Sequence, residues 1–232
     1  MGYKMRSHDV QLPDAWRVFG SLAFLLLPIL GNAQDDEESI SFDGLVPVEE
    51  SRVYMAQIDP DADFSVFQRV SILEPHIAFR SNWQRDQNRS RSMNVRASDV
   101  ERIKEDVSGL FKEVFTEQLE AAGFEVVNYA DEDVLILRPA IVDLDVTAPD
   151  VRSASRSRTY TAGGGAATLY LELFDGLSGA IIGRAADRRS SRRGGFATVS
   201  NRVTNRSDAR REFRAWADTL IEFLAEDYIS AD

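Results

Sequence analysis

The sequence predicts an α+β fold, a two-layer sandwich in which a mixed or mainly antiparallel sheet of about five strands carries two helices on one face. Three observations predict it. Apolar residues recur at three- and four-residue steps from Val100 to Leu119 and again from Phe213 to Leu224. Residues 134–146 and 166–174 alternate or run apolar as strands do, and the turn sequence Asp175-Gly176-Leu177-Ser178-Gly179 joins the second of them to a returning strand at 180–188.

The elements follow in order. Residues 66–79 hold short apolar runs around Val70, Ile72, Ile77 and Phe79. Pro75 interrupts them, and its missing N–H places such a strand at an edge or splits it in two. Residues 81–98 are polar and rich in Arg, which reads as a long surface loop held by one anchor, Trp83. Ser98 and Glu101 then have capping-box spacing, so the first helix is expected to begin there, and Gly123 supplies its left-handed stop.

Residues 124–129 and 134–146 read as two strands separated by a turn at 130–133. In the second, the even positions from Val134 to Val146 are apolar except for Arg138, which predicts that they face the core throughout. The odd positions change from Leu135, Leu137 and Ile141 to Asp143 and Asp145, so that side becomes wet. Residues 153–165 form a Ser/Arg/Gly loop. Beyond it Leu169, Leu171 and Leu173 are expected inward, with Thr168, Tyr170 and Glu172 outward. The last helix is expected over 207–228, its stripe made by Phe213, Trp216, Leu220, Ile221, Phe223 and Leu224.

The first 33 residues read as a cleavable secretion signal. A charged n-region precedes the apolar run Val18 to Leu30, and Gly31-Asn32-Ala33 then places small residues at the −3 and −1 positions of a cleavage site. At 13 residues that run is short of the roughly 20 that a spanning helix needs. Gln34 stands where a lipoprotein would carry its lipidated cysteine, so no lipid anchor is expected. Residues 34–50 open with Asp35-Asp36-Glu37-Glu38 and read as an acidic disordered linker, and residues 51–232 as a single α+β domain. The expected location is the periplasm, in association with the outer membrane but without a lipid anchor.

Subtracting the leader's three basic and two acidic residues leaves 24 Lys and Arg against 36 Asp and Glu, which opposes nonspecific binding to nucleic acid. There is no cysteine, which excludes disulfides, thiolate nucleophiles and cysteine-based metal sites.

His76 is the one histidine beyond the leader, and no Gly-x-Ser-x-Gly turn accompanies it, so packing or surface placement is the expectation over catalysis. Asp59, Asp61 and Asp63 imitate the start of a calcium loop, but Phe64 and Val70 occupy the places of its Gly and bidentate Glu, and an acidic turn is the plainer reading. Gly163-Gly164-Gly165 lacks the Gly-Lys-Ser/Thr ending of a phosphate loop and precedes a strand. Asp143, Asp145 and Glu172 are a conceivable acid and base pair for an envelope glycan hydrolase, against which salt links to Arg184 or Arg188 are simpler. Arg188, Arg189, Arg192 and Arg193 form the one concentrated basic patch, a candidate anion-binding loop whose bland alternative is a solvated surface.

The leading expectation is therefore a non-enzymatic binding or assembly module of the periplasm or cell envelope, with no cofactor, no catalytic residue and no metal site. Its partner is an envelope protein or an anionic envelope polymer. The hydrolase is the runner-up.

Several of these pieces match one family. Trp83, the helix leading through Leu110, Phe111 and Leu119 to Gly123-Phe124-Glu125-Val126-Val127, the strand from Val134 to Ile141, the segment from Leu171 to Gly179, Asp187 and Trp216-Ala217 together resemble the bacterial domain-of-unknown-function 3313 family, over roughly residues 45–228. The resemblance implies an exported protein of the outer-membrane lipoprotein kind and carries over no catalytic residues. The missing lipidation cysteine departs from that pattern.

Overall fold

The computed structural model describes residues 43–90, 94–146, 159–161, 165–190, 198–200 and 202–230, all within one compact unit. The leader, most of the acidic linker, Gly163, Gly164, Arg192 and Arg193 lie outside the described residues.

The fold is α+β, with a larger sheet than expected. In chain order its strands are β1 (Val46–Pro47), β2 (Met55–Ile58), β3 (Arg69–Ile72), β4 (His76–Phe79), β5 (Glu125–Val127) and β6 (Val134–Asp145), then β7 (Thr159–Thr161), β8 (Ala166–Asp175), β9 (Ile181–Ser190) and β10 (Thr198–Ser200). Eight of them make one mixed sheet in the order β1-β2-β9-β8-β6-β3-β5, with β4 also paired to β6, while β7 and β10 pair separately. The β1-β2-β9-β8-β6 part is antiparallel, whereas β3, β4 and β5 run parallel to their neighbours. Among the described residues the expected figure of about five strands thus becomes eight. Pro75 does split one run, since β3 and β4 fall on either side of it and lie end to end along β6. The other additions, β1 and β2, are two and four residues long and carry no clear alternation. The sheet therefore starts at Val46, inside the stretch expected to be a linker, and Leu45 beside it is fully buried.

Among the described residues the α-helices number three, not two: α1 (Trp83–Ser90), α2 (Ala97–Ala121) and α3 (Arg202–Ser230). The polar sequence of α1 has no apolar stripe, which is why it reads as a loop. Tertiary anchors hold it instead. Trp83 is buried, stacks on Phe79 with ring centroids 4.1 Å apart and donates its indole N–H to the Val146 carbonyl at 3.2 Å. One turn on, the Asn88 amide clamps both backbone groups of Val95, at 2.7 and 3.2 Å.

That clamp also corrects the start of α2. Val95 is buried with Trp83 and Ile103, which fixes the chain's entry two residues earlier than the Ser98 expectation. The N-cap is Arg96, and the reciprocal carboxylate is Asp99, whose Oδ2 accepts the Arg96 backbone N–H at 3.1 Å. Ser98 lies within the helix, and Glu101 accepts from Lys104 at 3.0 Å. Gly123, at φ +100°, ends the helix as expected. The Asp99 carboxyl is held below its ordinary pKa, first by the Arg96 N–H and then by Arg102. Asp99→Ala should cost about 1 kcal/mol in urea unfolding at neutral pH. Because the folded pKa is depressed, that contribution is complete above the unfolded value near ~4 and is lost as pH falls through the folded one. A cost independent of pH between neutral and strongly acid would refute the assignment.

The core lies between the helix-covered face of the sheet and α2 and α3. It contains Phe111, Val114, Phe115 and Leu119 of α2, Phe213, Trp216, Leu220 and Leu224 of α3, and Leu135, Leu137, Ile141, Leu169, Leu171 and Leu173 of the sheet. In β6 Val134 is buried at the start, and from Leu135 to Ile141 the buried residues are the odd ones, opposite to the expected phase. Both parities are apolar, and Arg138 decides the matter because its exposed charge turns the even set outward. The phase then reverses at Asp143. Its φ of +51° and the register shift beside it mark a bulge, after which Leu144 is inward and Asp145 outward.

Candidate ligand-binding cleft

The hairpin of β8 and β9 sets the site. Its register places Asp187 opposite Leu169, Ala185 opposite Leu171 and Gly183 opposite Leu173, so these three residues of β9 share the helix-covered face with the leucines. A carboxylate in that position needs partners. Asp187 Oδ2 accepts the Trp216 indole N–H at 2.9 Å and the Arg189 Nε–H at 2.9 Å, and the Arg189 guanidinium lies 6.0 Å from the Trp216 ring.

Next to this junction β2, β9 and α3 part to leave a cleft of about 470 Å³. Its walls are Ile58, Leu169, Leu171, Leu173, Trp216, Leu220 and Phe223, and the loop 48–53 leading into β2 covers one side. Arg52 of that loop reaches across to Glu222 of α3 and forms an ion pair. Arg52, Glu49, Glu50 and Glu222 all line the cleft and are exposed, so they form its rim. The size and the ratio of apolar wall to charged rim are those of small-ligand pockets, which span ~300–1,000 Å³. A group held there would meet leucine and aromatic surface inside, with the inner charges Asp187 and Arg184 paired to other residues, and exposed charge at the entrance.

The opposite face of the sheet is not covered by the helices. At its centre Glu172, nearly buried, accepts from Arg138 Nε at 2.5 Å and lies 3.6 Å from Arg184 Nε, while Arg184 also pairs with Asp43. The Asp43 partner holds the Arg184 pKa above its ordinary value. Arg138 also stacks on Phe174, 4.7 Å from the ring. This row is a cross-strand salt link of the expected kind.

The other expected site residues are dispersed. His76 is exposed on β4. Asp59 Oδ1 accepts the Asp61 N–H at 3.0 Å, and Asp63 caps the 3-10 turn Phe64–Val66 by accepting the Ser65 N–H at 2.9 Å, so these carboxylates serve the backbone of a turn. Hydrogen bonds from Ser65 hold the Asp63 carboxyl below its ordinary pKa. Among the described residues no group of three or more His, Asp or Glu is placed to hold a metal ion.

The three carboxylates of the hydrolase reading do not converge. Glu172 pairs with Arg138, five residues from Asp143 and seven from Asp145 along β6, which is about 17 and 23 Å of strand. Glycosidase pairs stand ~5–9.5 Å apart. The two aspartates also face opposite edges of β6, with Asp143 3.9 Å from Arg188 of β9 and Asp145 2.9 Å from Arg80 beyond β4. Of the basic patch, Arg188 and Arg189 are adjacent in β9 and serve different faces. Arg188 reaches Thr168 at 3.3 Å, and Arg189 turns toward Asp187 and Trp216.

Sequence reasoning missed the cleft. One signal was present, because the hairpin register alone puts the acidic Asp187 among inward leucines, where a partner on another element is required. Nothing local marks Arg52 or Glu222, which are 170 residues apart.

Among solved structures, the chain is similar to the PelC dodecamer from Paraburkholderia phytofirmans, at 13% identity and a TM-score of 0.37, with 68% of this chain and 91% of that one covered. It is similar also to a minor lipoprotein from Acinetobacter baumannii, at 14% identity and TM-score 0.32, covering 69% and 95%. A third is a neuraminyllactose-binding hemagglutinin homolog from Helicobacter pylori, at 13% identity and TM-score 0.36, covering 71% and 87%. Likenesses this shallow transfer no function. No curated protein matches the chain. The family model described as protein of unknown function DUF3313 matches residues 38–220, a span that takes in the whole eight-stranded sheet, α1, α2 and α3 as far as Leu220, and the chain belongs to that family.

Proposed function

We propose that this protein is a non-enzymatic binding module of the bacterial cell envelope that takes an apolar ligand in the cleft between β2, β9 and α3. The observation that carries the reading is the cleft itself: about 470 Å³ walled by leucine and aromatic side chains, with its internal carboxylate, Asp187, already engaged by Trp216 and Arg189. Such a site has burial to offer a ligand, at about 0.8 kcal/mol per methylene, and its inner carboxylate is held by two donors and is not free to act as an acid or base. The leader-like first 33 residues support placement outside the cytoplasm, and no helix among the described residues is long and apolar enough to cross a membrane.

The neutral fluorescent probe N-phenyl-1-naphthylamine should bind the purified protein saturably, at one site. Ala185→Phe, which projects a ring from β9 into the cleft beside Leu171, should abolish binding while leaving the unfolding midpoint nearly unchanged. Lack of saturable binding, or equal binding by the variant, would overturn the reading. Turnover of envelope glycan that Glu172→Gln abolishes would replace it with the hydrolase.

A further inference from the structure

The rim of the cleft is acidic, and this selects among apolar ligands. Four carboxylates line the site, Glu49, Glu50, Asp187 and Glu222, against two guanidinium groups, Arg52 and Arg184, a net charge of −2. The inner charges are engaged elsewhere. Asp187 bonds Trp216 and Arg189, and Arg184 bonds Asp43 and faces Glu172. What an entering molecule meets at the mouth is therefore Glu49, Glu50 and Glu222, with Arg52 bound to the last of them. Both partners of that pair are more than half exposed, at 62% and 53%, so water screens it and it can exchange cheaply.

We infer that the cleft takes a cationic amphiphile, with its single apolar chain against Leu171, Leu173 and Phe223 and its positive head at Glu222, where it replaces the Arg52 guanidinium. The inference rests on the proposed binding role of the cleft and adds the charge of the ligand. Attraction supports it from two sides. An anionic head would have to enter a field of net −2, and its one cationic partner at the mouth would first have to leave Glu222. A cationic head takes over Glu222 as Arg52 leaves it, exchanging one ion pair for another, and lies close to Glu49 and Glu50. The loop 48–53 then acts as a strap, fastened by Arg52 when the cleft is empty and released when the head takes its place.

Chain-matched amphiphiles test this. With N-phenyl-1-naphthylamine bound, dodecyltrimethylammonium should displace the probe at a concentration several-fold lower than dodecyl sulfate, both used below their micelle-forming concentrations. The preference should shrink as salt is raised, because the rim charges are exposed. The triple variant Glu49→Gln, Glu50→Gln, Glu222→Gln should lose the preference while still binding the neutral probe. Arg52→Ala should strengthen the cation's binding, since it frees Glu222, whereas a site built for an anion would weaken toward the sulfate. Equal displacement by the two amphiphiles, preference for the sulfate, or weaker cation binding by Arg52→Ala would overturn the inference and leave the apolar site in place. Failure of the neutral probe to bind would remove both.

Discussion

Phe111→Ala is expected to lower the unfolding free energy by about 3–5 kcal/mol, the range for truncating a large aromatic in a packed core. Phe111 is fully buried in the middle of α2. It stacks on Phe115, with centroids 4.0 Å apart, and meets Phe213 of α3 edge-on at 5.5 Å. The lost ring would therefore unseat both helices from each other as well as from the sheet. Ion pairs along the same seam, such as Arg210 with Glu117 at 2.9 Å, stand in water and compensate little. Against a typical total of ~5–15 kcal/mol, the loss would leave a population of unfolded protein visible without denaturant in a marginal domain. Urea unfolding measures it, and Phe111→Leu, which keeps most of the volume, should cost markedly less. A loss below about 1 kcal/mol for the alanine variant would mean that α2 and α3 close over the gap, and that the helix layer is not the packed element described above.

The parts of this fold legible in the sequence are those in which one element carries its own pattern. The stripe from Ile103 to Leu119 specifies α2 regardless of what it packs on, and the Leu169, Leu171, Leu173 alternation specifies both the β8 strand and its inward face. Where two patterns compete, tertiary context decides. In β6 both faces are apolar as far as Val142, and only the cost of burying Arg138 breaks the tie. The capping box is decided by tertiary context as well: Ser98 and Glu101 have the right spacing, but Asn88 pins Val95 and the helix begins from its N-cap, Arg96. Strands as short as β1 and β2 have too few residues to show a period.

The candidate site was the least legible part, and the cause is its assembly. Arg52, Ala185 and Trp216 come from three distant segments, and each looks ordinary among its neighbours. The residues that sequence reasoning singled out share the opposite property. Asp143, Glu172 and Arg188 are conspicuous because they are charged in strands, yet the sheet disperses them as ladder pairs on its outer face. Conspicuous charge on an outer strand face marks a cross-strand pair, and an unexplained acid on an inner one, Asp187, marks a partner on another element.

The β8–β9 turn provides the second large effect. Gly176→Ala should destabilise by about 2–3 kcal/mol, toward the upper end for inserting a methyl into filled space. The space is filled by backbone. A Cβ at Gly176 would lie within 3.0 Å of the carbonyl oxygens of both Val134 and Asp131, where the hairpin packs against the start of β6. Neither can swing aside. Val134 O accepts the Gly176 N–H at 3.0 Å, and Asp131 O accepts the Val134 N–H at 3.2 Å, so moving either breaks a hydrogen bond that starts the strand. The turn itself is fastened from within, because Asp175 Oδ1 accepts the backbone N–H groups of Leu177 and Ser178 at 3.0 and 2.6 Å. Gly179 in the same turn is the control. It needs a left-handed φ of +69° but has no heavy atom within 4 Å of its would-be Cβ, so Gly179→Ala carries only the conformational cost of about 1 kcal/mol. The two variants measured side by side in urea separate close approach from backbone conformation. Equal losses would show that the 131–134 segment yields to the added methyl, and that the hairpin's seat on β6 is looser than its hydrogen bonds imply.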